Sequence, residues 1–178
     1  MATSKSPRLT SADLSLSFGA IAFPVHVWAI INILVIFPAW LLRLSLWELA
    51  GAISYPLVEA LLESGLVWLV LVGISFVLPR KWLADKFVVL ASALVWLLAA
   101  WAILAQFILV RLLQWGPLQW IPGLIVVVIS FGLVIWLIHR FARVESTIKT
   151  IVQRLAVLTY IYIFFDVLGL LVIILRNL

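Results

Sequence analysis

The sequence predicts an all-α, polytopic membrane protein, and three observations carry the prediction. Of the 178 residues, 67% are hydrophobic and 11% charged, with a mean hydropathy of +1.31. A soluble chain of this length must keep a polar shell that such a composition cannot supply. Five apolar runs are each long enough to cross about 30 Å of hydrocarbon at about 1.5 Å per helical residue. No run alternates apolar and polar residues with period two, as the strands of a membrane barrel would. The expected architecture is one membrane domain over 1–178. It has a tail at 1–17 and spans at about 18–42, 57–78, 87–110, 121–138 and 155–175.

Each element has its own justification. The tail MATSKSPRLTSADLSLS is polar and lacks a small-residue cleavage site, so a retained cytoplasmic tail is expected, with Ser11 or Asp13 capping the first helix. The connection RLSLWELAGAISYP is too short to span between Arg43 and Pro56 and carries Glu48. It is expected to lie in the outer interface, or dip back into it, with Trp47 as an anchor. PRKWLADK forms a basic turn before the third span. QWGPLQWIPG forms a tight outer turn that sets Trp115 and Trp120 at headgroup level. HRFARVESTIK is a basic connection in which Ser146 or Thr147 would cap the fifth helix. Across it Phe141, Val144, Ile148, Ile151 and Leu155 recur at 3–4 spacing, which suits a surface-lying amphipathic stretch better than a coiled-coil seam. The ISF triplets at Ile74–Phe76 and Ile129–Phe131 are too short to argue an internal duplication.

Charge gives an orientation. Lys5, Arg8, Arg80, Lys81, Lys86, Arg140, Arg143, Lys149 and Arg154 fall on one side, and Arg43, Arg111 and Arg176 on the other. With loops this short, the basic side is cytoplasmic, so the N-terminus is expected inside and the C-terminus outside a plasma or inner membrane. The net charge of +5 is explained by these flanks, and no nucleic-acid partner is expected. The chain has no cysteine, which excludes disulfides, thiolate chemistry and iron–sulfur ligation. His26 and the interfacial His139 lie at unlike depths, so no haem or other cofactor is expected.

Four groups of residues are candidate sites. Asp166 lies about 16 Å into the fifth span, where a charge is costly, and shares a polar stripe with Thr159, Tyr162 and Gly169. His26, about 12 Å into the first span beside Pro24, is at nearly the same depth and is the expected partner. The pair can lock helix packing or relay a proton, and packing is the simpler role. Glu59, Glu63 and Arg43 form a candidate outer polar cluster, read as carboxylates that offset a helix dipole and meet an arginine, Arg43 or Arg111. Ala91, Val95, Ala99, Ala102 and Gln106 form a small-residue stripe that allows close helix packing and a central place for the third helix. Of the ten tryptophans, Trp28, Trp68, Trp96 and Trp101 fall inside spans, where packing against lipid or another subunit is expected.

No catalytic set, phosphate loop or metal spacing is present in the sequence. The leading expectation is therefore a non-catalytic membrane subunit or partner-binding protein, in contact with lipid and with another membrane protein or further copies of itself. The alternative is a small ion channel or proton- or cation-coupled transporter using Asp166 and His26.

Overall fold

The computed structural model describes residues 9–77, 86–112 and 117–178. These form five helices and no strand: α1 (Ser11–Leu41), α2 (Leu46–Val77), α3 (Phe87–Leu112), α4 (Pro117–Arg140) and α5 (Ala142–Asn177). All five are long and apolar enough to cross a membrane. The chain is a multi-pass membrane protein. The expectations for the tail through Arg8, for Arg80, Lys81 and Trp115, and for the Arg111 side chain lie outside the described residues.

Helix starts are set by local hydrogen bonds. Thr10, not Ser11 or Asp13, caps α1: its hydroxyl accepts from the Asp13 amide at 3.1 Å, while the Asp13 carboxylate accepts from the Thr10 amide at 3.0 Å. Such reciprocal capping satisfies two amides that have no partner within the helix. Ser45 and Glu48 repeat the motif at the start of α2, with 2.8 Å from the Ser45 amide to the Glu48 carboxylate. This box moves the start of α2 well upstream of the expected span. Residues 46–56, expected as a separate outer segment, are the first turns of a continuous 32-residue helix that runs through Pro56. Ser146 and Thr147 cap nothing, because α5 already starts at Ala142. A single extended residue, Phe141, joins α4 to α5. The 3–4 repeat around it turns inward in part: Val144 and Ile148 pack on Val89, Leu90, Ala93 and Ile138, whereas Phe141 and Ile151 stay exposed.

α1 packs against α2, α3 and α5, while the main contacts of α4 among the described residues are with α3 and α5 at the edge of the bundle. α5 contributes one narrow seam, Val152, Thr159, Tyr162, Asp166 and Gly169, and exposes most of the rest. That 3–4 spacing is the pattern of close helix pairing. Two glycines make the approach possible. A Cβ on Gly19 would run into Thr159 Oγ1, and one on Gly169 would press on the Ser54 carbonyl at 3.3 Å. At the far end of α5, Arg176 lies over Gly51 and Asn177 Nδ2 donates to Tyr55 Oη at 3.3 Å. At the opposite end of the bundle, Lys86 pairs with Glu145 at 2.7 Å and donates to the Ile138 carbonyl at 3.3 Å.

Candidate functional site

Deep in the α1–α5 contact, His26 and Asp166 meet. Their exposures are 1% and 0%, so no water reaches either side chain from outside. His26 Nε2 lies 3.0 Å from Asp166 Oδ2 and 3.3 Å from Oδ1. On the other side of the ring, Nδ1 is 2.9 Å from the Ala22 carbonyl. A carbonyl only accepts, so Nδ1 carries a hydrogen, and one further proton lies between Nε2 and the carboxyl group. Whether the pair is written as imidazolium and carboxylate or as neutral ring and neutral acid, its net charge is zero. That neutrality makes an ionisable pair tolerable in hydrocarbon. Tyr162 covers the imidazole, with ring centroids 4.7 Å apart and planes 17° from parallel.

One turn further along the seam, Thr159 is buried but Oγ1 has no hydrogen-bond partner among the described residues. Its role is steric, since it faces the notch left by Gly19. The polar stripe of α5 thus divides into a hydrogen-bonded half at Asp166 and a packing half at Thr159.

Three of the four tryptophans within spans, expected to pack against lipid or another subunit, instead donate hydrogen bonds between helices. Trp96 Nε1 donates to the Ala20 carbonyl at 2.8 Å. Pro24 has no N–H with which to occupy that carbonyl four residues back, so α3 provides the donor that α1 lacks. Trp68 Nε1 donates to Ser17 Oγ at 3.1 Å and to the Leu14 carbonyl at 3.2 Å. Trp101 Nε1 donates to Ser130 Oγ at 2.9 Å. The sequence carried a signal for the first: a proline within a span, with a tryptophan at matching depth on another span.

The expected outer cluster does not form. Arg43 lies beyond the C-terminal end of α1, and no ion pair joins it to Glu59 or Glu63 among the described residues. The two glutamates occupy the fourteenth and eighteenth positions of α2, so they are not at its N-terminus and cannot offset its dipole; Glu48 is the acidic residue of the first turn. Both are exposed. The small-residue stripe of α3 is split as well. Ala91 and Val95 are buried, whereas Ala99, Ala102 and Gln106 line an open crevice between α1, α2 and α3. Among the described residues, no group of three or more His, Asp or Glu side chains is placed to hold a metal ion. No family model, curated protein or solved structure matches the chain.

Proposed function

We propose that this protein is a non-catalytic subunit or partner-binding protein of a membrane complex, either with a different membrane protein or with further copies of itself. One observation carries the reading: the His26–Asp166 pair is closed to water and has its hydrogen-bonding groups occupied, so it holds helices together and offers no entry to an ion. Breadth of lateral surface supports it, since α4 between Trp120 and Trp136 and α5 between Val157 and Leu175 turn many apolar side chains outward. The Lys/Arg distribution favours a plasma or inner membrane with the N-terminus on the cytoplasmic side.

The test compares variants extracted in mild detergent and weighed by native mass spectrometry. The native chain is expected in a species heavier than its own 20.0 kDa. Asp166→Asn, which keeps a hydrogen bond to His26, should assemble normally and leave the proton permeability of reconstituted liposomes unchanged. A monomer-only spectrum, or a liposome flux abolished by Asp166→Asn, would favour the transport reading. Single cysteines at Ser146 and Asn177 test orientation: an impermeant reagent added outside should label Asn177 and spare Ser146.

A further inference from the structure

The crevice beside α1 is a second place where a carboxylate stands within a helix apolar enough to cross a membrane, and it differs from the first in burial and in partners. It encloses about 220 Å³ between α1, α2 and α3. Its polar lining is Glu63 and Gln106, and its aromatic wall is Trp28; Val67, Ala99 and Ala102 are among the apolar remainder. Glu63 is about 26 Å along a helix of about 48 Å and lines the crevice together with Pro24, Val25 and Trp28 of α1. Among the described residues, none that lines it is a cation. On α1, Pro24, Val25 and Trp28 project into the crevice, while His26 points about 150° away at 100° per residue. The two carboxylates therefore serve different faces of one helix.

The shape has a cause. Over its first nine residues α3 is tightly packed, and Trp96 clamps it to α1. Beyond that level Leu98, Ala102, Ile103 and Gln106 are exposed, so the small side chains that allow close packing lower down leave an open crevice here. A notch lined by alanines, with a carboxylate on one wall and an indole on another, has the recognition chemistry of an organic ammonium. The carboxylate supplies the counter-charge, the indole face a cation–π contact, and the alanines room for an alkyl group.

We propose that this crevice binds a small hydrophobic ammonium ion, with its charged nitrogen between Glu63 and Trp28 and its alkyl group along Ala99 and Ala102. The site is independent of the His26–Asp166 pair and of the subunit reading above. Glu63 is the specificity-determining residue, because an apolar slot alone would take lipid acyl chains equally well.

The experiment is equilibrium dialysis of radiolabelled hexyltrimethylammonium against the full-length protein in dodecyl maltoside, a detergent without charge or ammonium groups. Saturable binding of one ion per chain is expected, undisturbed by an equal concentration of the uncharged tert-butyl analogue. Glu63→Gln should raise Kd at least about tenfold, a change of about 1.4 kcal/mol, and Trp28→Leu severalfold. Glu59→Gln, one turn away and outside the lining, should bind as the native chain does. Ala102→Phe keeps every polar group and fills the crevice, so it should abolish binding even if the Glu63 variant proves unstable. The proposal is overturned by non-saturable uptake, by equal competition from the uncharged analogue, by native affinity in Glu63→Gln, or by retained binding in Ala102→Phe.

Discussion

The two faces of α1 handle the same problem in opposite ways. On one, Asp166 is met by His26 at 3.0 Å, roofed by Tyr162 and removed from solvent. On the other, Glu63 stands exposed beside a notch with no cation among the described residues that line it. Both carboxylates stand well inside helices long and apolar enough to cross a membrane. The difference lies in what the neighbouring helix does: α5 brings a buried seam against α1 and α2, whereas α3 is buried over its first turns and largely exposed from Leu98 onward. A carboxylate answered inside the chain stabilises a helix contact. One left open is available to something outside the chain. Depth alone therefore does not distinguish a structural carboxylate from a binding one; the packing of the third helix does.

The largest effect should come from breaking the closed face. Asp166→Leu leaves His26 buried without its partner, and such losses cost about 3–5 kcal/mol. SDS titration in mixed micelles, followed by circular dichroism, should show the midpoint fall strongly, with Asp166→Asn close to native. A drop of similar size in both would mean that charge, not hydrogen bonding, holds the contact. Next comes the clamp that defines where the open face begins. Trp96→Phe strands the Ala20 carbonyl that Pro24 frees, at about 1–3 kcal/mol. Adding Pro24→Ala restores an N–H for that carbonyl, so the double variant should recover part of the loss, a non-additivity of the kind that coupled residues show. The smallest effect is expected at Thr159→Val. The hydroxyl has no partner, so replacing it with a methyl group of like shape should change stability by less than about 0.5 kcal/mol, or raise it slightly. A large loss there would reveal a hydrogen bond and move Thr159 into the closed face's polar network.

Much of the fold was legible in the sequence because hydrocarbon thickness sets span length, and five apolar runs meet that requirement. The His26–Asp166 juxtaposition was within reach of depth matching, since both lie at similar distances from one end of their spans. Element starts were harder. Both capping boxes stood in the sequence as Thr10-Ser11-Ala12-Asp13 and Ser45-Leu46-Trp47-Glu48, yet apolar run length drew attention past them. A start of α2 near Leu57, as run length alone suggests, would put Glu59 and Glu63 in the first two turns, which they do not occupy. The divergence of α3 could not be read at all. Ala91 and Ala99 look alike in a helical stripe, and only the direction of the neighbouring helix decides which is buried.

The single residue between α4 and α5 has a consequence for assembly. α4 has the least buried span of the five, at 6% of its most apolar window, and offers few contacts with which to find its place. Phe141 fastens its end directly to the start of α5, so there is almost no loop whose freedom must be lost on docking. Association of α4 with the bundle is therefore intramolecular, at an effective concentration far above any that a separate helix would reach. A long flexible insertion at Phe141 would leave every side-chain contact available and still loosen α4 against α5, with only its link to α3 left to hold it near the bundle.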